Sequence, residues 1–85
     1  MATRAVIADN QKMFTEGIQA ILTEMRFPPI KIVGVAHSLE ELNSMTEYPI
    51  DLLILDLALA DNRGTSLISE LKKSRPDVKI IILSN

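Results

Sequence analysis

Four short apolar runs, "RAVIA" at 4–8, "IKIVGVA" at 30–36, "DLLIL" at 51–55 and "VKIIILS" at 78–84, alternate along the chain with segments of helical character. Strands that are apolar on both sides must be covered on both sides, and strands separated by helices pair in parallel. The alternation therefore calls for a parallel sheet between layers of helix. Between the first two runs, Phe14, Ile18, Ile21, Leu22 and Met25 recur at the spacing of one helical face, which predicts a helix over 11–25. Phe27-Pro28-Pro29 ends it, because proline lacks an amide hydrogen and biases the residue before it to extended geometry. Ser38 with Glu41 three residues on has the form of a capping box and predicts a short helix running to about Thr46. Tyr48-Pro49 stops that helix. Leu67, Ile68 and Leu71 mark a third over Thr65–Ser74, and Pro76-Asp77 turns the chain into the last strand. The expected order is β-α-β-α-β-α-β, without an internal domain boundary, a repeat or a low-complexity segment.

Composition narrows the partners. At 85 residues the chain is one small domain or part of one, burying only about 60 to 65% of its unfolded surface. Apolar residues make up 47% and charged residues 24%, the balance of an ordinary globular domain. The net charge is −2 and the nine Lys and Arg are scattered, so no basic stripe is available to hold nucleic acid. Absence of cysteine removes disulfides and thiolate metal sites and is compatible with a reducing compartment. "MATRAVIADN" has no signal-peptide core and no apolar run approaches a membrane span. The expectation is a cytoplasmic protein with no membrane contact.

Two acidic strand ends carry the chemistry. Asp9 follows the first strand and Asp56 the third, and in open parallel sheets the binding crevice lies at those carboxyl ends, where strand order reverses. On neighbouring strands, about 4.8 Å apart, the two carboxylates would crowd each other. A hard divalent cation with oxygen ligands and several waters relieves the crowding. Taken singly, an Asp before a helix also serves as an N-cap with no further role. His37, alone near a helix start, makes neither a metal site nor a triad and is read as a solvated loop residue. Met13, Met25 and Met45 are read as core or edge packing, and Lys72-Lys73 as an exposed helix face.

The stretches "VIADNQKMFTEGIQAIL", "IVGVAHSLEEL" and "PIDLLILDLALADNRGTSLISELKKSRPDVKIIILSN" together resemble the receiver domain of bacterial two-component response regulators, most closely the LuxR/NarL-like transcription regulators. The resemblance spans essentially the whole chain. It rests on acidic residues after the first strand, Asp at the end of the third, Gly64 eight residues later and a hydroxyl residue closing the fourth. It implies a flavodoxin-like (CheY-like) α/β fold of strand order 2-1-3-4-5. By resemblance Asp56 is the phosphoacceptor, Asp9, Asn10, Asp56 and the carbonyl of Ala58 hold Mg²⁺, and Ser84 is the switch hydroxyl. The partner would be a sensor histidine kinase, and DNA would be reached only through an output domain outside this chain. The domain would signal rather than act as an enzyme in its own right.

The chain departs from the family pattern in three places. Asn10 stands where a second aspartate is common, and Ala60 where proline is common. The sequence stops at Asn85, before the family's fourth helix, fifth strand, phosphoryl-contacting lysine and fifth helix, so residues 1–85 are expected to form an incomplete receiver domain. An uncovered last strand and a partly covered first helix then predict a homodimer. A second reading keeps only an interaction or dimerisation module that is not phosphorylated. An enzyme of flavodoxin-like or phosphatase type is a third, weakened by the lack of a G-x-x-x-x-G-K loop and of a second aspartate in Asp56-Leu57-Ala58.

Overall fold

The structure is a computed structural model that describes residues 2–25, 29–45, 49–60 and 64–83. Its elements are β1 (Thr3–Ala8), α1 (Lys12–Glu24), β2 (Ile30–Ala36), α2 (Leu39–Ser44), β3 (Leu52–Asp56), a 3₁₀ turn (Leu57–Ala60), α3 (Gly64–Ser74) and β4 (Lys79–Leu83). The four strands pair in parallel in the order β2-β1-β3-β4, as the resemblance implies for these elements. Ser38 accepts a hydrogen bond from the Glu41 amide at 3.1 Å, so one half of the expected capping box starts α2. The third helix, read from sequence as Thr65–Ser74, begins one residue earlier, at Gly64. Thr46, Tyr48 and Ser84 lie outside the described residues.

β1 is the centre of the molecule. Ala5, Val6, Ile7 and Ala8 are all fully buried, which requires cover on both faces of the sheet. One face carries Val6, Ala8, Leu53 and Leu55, packed with Leu42 of α2, Leu67 of α3, Leu59 and Val78. The other face carries Ile7 and Ile54, and here α1 lies against β2. Register pairs Ile7 with Ile54 and Ile54 with Ile81, so the three isoleucines form one row across the sheet. Their exposure rises from 0% through 7% to 47% along that row. Helix α1 thus covers the half of this face nearest β2 and leaves the β4 half open. The predicted apolar stripe of α1 is only partly buried for the same reason: Ile18 and Leu22 are half-buried, while Phe14, Met25 and above all Ile21, at 64%, are exposed.

The outer strand β2 is irregular. Ala5 pairs with Ile32 but Val6 pairs with Gly34, so Val33 is an extra residue in the ladder. Beside it, a β-carbon on Gly34 would stand 2.9 Å from the Met45 sulfur. Glycine here lets the end of α2 lie down on β2, and Met45 packs against the core as expected.

Asp51, read from sequence as the first strand residue, sits just before β3 and ties three strands together instead. Its amide donates to the Arg4 carbonyl at 2.8 Å, its carbonyl accepts from the Lys79 amide at 3.0 Å, and its carboxylate accepts from the Arg4 amide at 2.9 Å. The Arg4 guanidinium adds a 3.3 Å contact, half-exposed and therefore weak. Bonds from the Arg4 amide first, then from its side chain, hold the Asp51 carboxyl below its ordinary value of 3.8. A lowered folded pKa contributes stability above the unfolded value, and that contribution disappears as pH falls through the folded one. In acid titrations of stability, wild type is expected to lose more stability below pH 3.8 than Asp51→Asn. Parallel curves for the two proteins would show that the Arg4 contacts do not favour the ionised form.

Candidate functional site

Strand order reverses between β1 and β3, and their carboxyl ends therefore border the crevice where open α/β sheets bind ligands. Ala8 pairs with Leu55, so the next residues, Asp9 and Asp56, stand side by side on adjacent strands. Asp56 in turn pairs with Leu83 of β4. Parallel neighbours lie about 4.8 Å apart, which places the two residues side by side at the carboxyl edge of the sheet.

Each carboxylate is oriented by its own backbone. Asp9, 2% exposed, accepts at Oδ1 from the Gln11 amide at 2.8 Å and so supports the start of α1. Asp56, half-buried, accepts at Oδ1 from the Ala58 amide at 3.1 Å and supports the 3₁₀ turn. In both, a two-residue side-chain turn fixes one oxygen and sets the direction of the other. The N-cap of α1 is Gln11, without a side-chain cap bond, so Asp9 is not the cap that sequence allowed; it holds the amide of the cap residue from two positions upstream. Asn10 and Ala58 are exposed next to the pair. Ser84 cannot be placed relative to it, being outside the described residues.

The donors in this cluster are hard oxygens. Among the described residues no group of three or more His, Cys, Asp and Glu converges on a point, so no all-protein cage of the zinc or calcium type is formed. One buried and one half-buried carboxylate, bordered by the exposed Asn10 and Ala58, fit a cation that takes few protein ligands and keeps most of its water, which is the habit of Mg²⁺.

Residues 5–85 match the family described as response regulator receiver domain. The chain belongs to that receiver family. It is 30% identical over 79 residues to the response regulator RR06 of Streptococcus pneumoniae, covering 93% of this chain and 35% of that protein. To the response regulator VraR of Staphylococcus epidermidis it is 28% identical over 86 residues, covering 100% of this chain and 40% of the relative. Among solved structures, RcsB of Salmonella enterica serovar Typhimurium, bound to a promoter with a phosphomimetic, superposes with a TM-score of 0.83 at 25% identity. That match covers 99% of this chain and 43% of RcsB. The chain thus spans less than half the length of these relatives, and what it matches in them is the receiver domain. Among the described residues, no helix is long and apolar enough to cross a membrane.

Sequence reasoning missed the surroundings of His37. Read as solvated, it is half-buried, with Nε2 3.3 Å from the hydroxyl of the buried Thr15. The signal available was a threonine on an otherwise apolar helix face, which packing alone does not explain. Lys72, read as part of an exposed face, is exposed but donates to the carbonyls of Pro76 and Val78, at 3.1 and 2.8 Å, and so closes the turn after α3.

The structural and ionic roles of Asp9 can be separated. Asp9→Ala removes the acceptor for Gln11 and is expected to cost about 1 kcal/mol in chemical denaturation, whereas Asp9→Asn keeps an acceptor oxygen and should recover most of it. Equal losses in the two variants would mean that charge, not the turn, carries the stabilisation.

Proposed function

We propose that Asp56 is the phosphoacceptor of this receiver domain, taking a phosphoryl group from a phosphohistidine of a sensor kinase or from a small acyl phosphate. The single observation behind this reading is the register that sets Asp56 beside the buried Asp9 at the switch point of the sheet. In the transfer, a carboxylate oxygen of Asp56 forms the new O–P bond as the P–N bond of the phosphohistidine, or the P–O bond of the acyl phosphate, breaks. The products are an aspartyl phosphate and, after proton uptake, a neutral histidine, or else the free carboxylate of the small donor. Asp56 Oδ1 is engaged by the Ala58 amide, which leaves Oδ2 as the attacking atom. Asp9, Asn10, Asp56 and the Ala58 carbonyl would hold Mg²⁺, which when bound supplies charge neutralisation for the transferring group. Ser84 would answer phosphorylation as the switch hydroxyl, coupling the charge added at Asp56 to a change of shape.

In this reading residues 1–85 belong to a longer cytoplasmic regulator whose output domain controls transcription. RcsB, similar at the level of its receiver, has been seen as dimers on DNA. Incubated with an acyl phosphate and Mg²⁺, the intact protein should gain one phosphoryl group by mass, and Asp56→Asn should gain none. Equal labelling of the variant would place the acceptor elsewhere.

The 85-residue chain by itself is proposed to associate with a second copy. Ile81 and Ile82 on β4 and Phe14, Ile21 and Met25 on α1 are exposed, and β4 is an outer strand of the described sheet. Uncovered apolar area costs roughly 25 cal/mol per Å², so a patch of several hundred Å² is worth on the order of 10 kcal/mol. Sedimentation should find a dimer at tens of micromolar; a well-folded monomer at that concentration would refute the association.

A further inference from the structure

Hydrogen bonds around Asp9 close into a ring. The Asp9 amide donates to the Ala36 carbonyl at 2.9 Å, at the end of β2. The next residue along, His37, places Nε2 3.3 Å from Thr15 Oγ1. The Thr15 amide donates to the Gln11 carbonyl at 3.1 Å, and the Gln11 amide returns to Asp9 Oδ1 at 2.8 Å. Main chain and side chain of Asp9 are thereby held from both sides, by β2 and by the first turn of α1.

The one side-chain to side-chain link in this ring has a definite polarity. A threonine hydroxyl has a single proton, and that of Thr15 is given to the Lys12 carbonyl at 2.8 Å. The oxygen can therefore only accept from His37, so Nε2 must carry a proton. An unprotonated Nε2 would set a nitrogen lone pair against an oxygen lone pair, and Thr15, 1% exposed, has no solvent with which to rearrange. Both the neutral tautomer with the proton on Nε2 and the imidazolium satisfy the contact.

We infer that His37 is a positioning residue for Asp9, acting through the buried Thr15 hydroxyl to fix the corner between β1 and α1. The inference rests on the proposed metal-holding role of Asp9, and it deepens that role by naming what aims the carboxylate. Side chains that hold a ligand in place tune metal affinity without touching the ion.

The test is Mg²⁺ affinity of the intact protein by calorimetry, at a temperature where circular dichroism shows each variant folded. His37→Ala and Thr15→Val are each expected to weaken binding about tenfold, and the double variant no further. Glutamine places an N–H close to where Nε2 was, so His37→Gln should restore affinity to within about twofold of wild type. Additive losses, or a glutamine variant as weak as the alanine one, would overturn the positioning role. Asp9→Ala separates the two levels: loss of binding there with none in His37→Ala overturns the positioning alone, and unchanged binding in Asp9→Ala overturns the metal reading beneath it. The clamp is also read without metal and without mutation. Long-range proton–nitrogen spectra, at a pH where the ring is neutral, should place its proton on Nε2, and a proton on Nδ1 would overturn the assignment even if the alanine variant fails to fold.

Discussion

Everything in this molecule follows from β1 being paired on both edges and covered on both faces. The buried stretch of β1, Ala5–Ala8, has no room for a polar side chain, so the first residue after it free to be charged is Asp9. The same pairing with β3 delivers Asp56 one register step beyond Leu55. Two strand-end aspartates stand side by side because two apolar ladders end together. The chemistry of the site is thus a boundary condition of the core rather than an addition to it.

Each carboxylate commits one of its two oxygens to local structure and leaves the other available. One oxygen accepts an amide two residues downstream, and the turn so formed prevents the side chain from rotating into solvent. Holding an ion or a phosphoryl group then requires little further loss of conformational freedom, which is the sense in which the site is preorganised. For Asp9 the arrangement is tighter, because its amide is also tied to β2 and its burial is nearly complete. Asp56, at the more open position, stays accessible from solvent.

The sheet was legible in sequence because strands buried on both faces leave unbroken apolar runs, and all four appear within a residue or two of those runs. The two strand-end aspartates were legible for the same reason. Strand order was not: nothing in four similar runs says which are neighbours, and only the resemblance to receiver domains supplied it. The 3₁₀ turn at Leu57–Ala60 was invisible because "LALA" contains none of the residues that mark turns; it forms because Asp56 captures the Ala58 amide. Asp51 looked like part of a strand, and its service to Arg4 and Lys79 depends on partners far away in sequence. His37 and Thr15 lie 22 positions apart, and no local pattern links them. The stripe on α1 was read as apolar from its periodicity, while its partial exposure was expected only through the resemblance, since periodicity reports a face without reporting how wide a surface covers it.

The extra residue at Val33 gives the sheet two unlike borders. At β2 the ladder slips, the strand bends, and its outward amides and carbonyls no longer present the even spacing that another strand could follow. At β4 pairing with β3 runs without interruption over five residues. A sheet regular at both borders can add strands from successive molecules without limit, as fibres do. One regular at a single border can only be met face to face by the same border of another copy, and such a contact uses up the surface that made it. Among the described residues the irregularity in β2 therefore makes β4, not β2, the outer strand whose geometry another strand could follow.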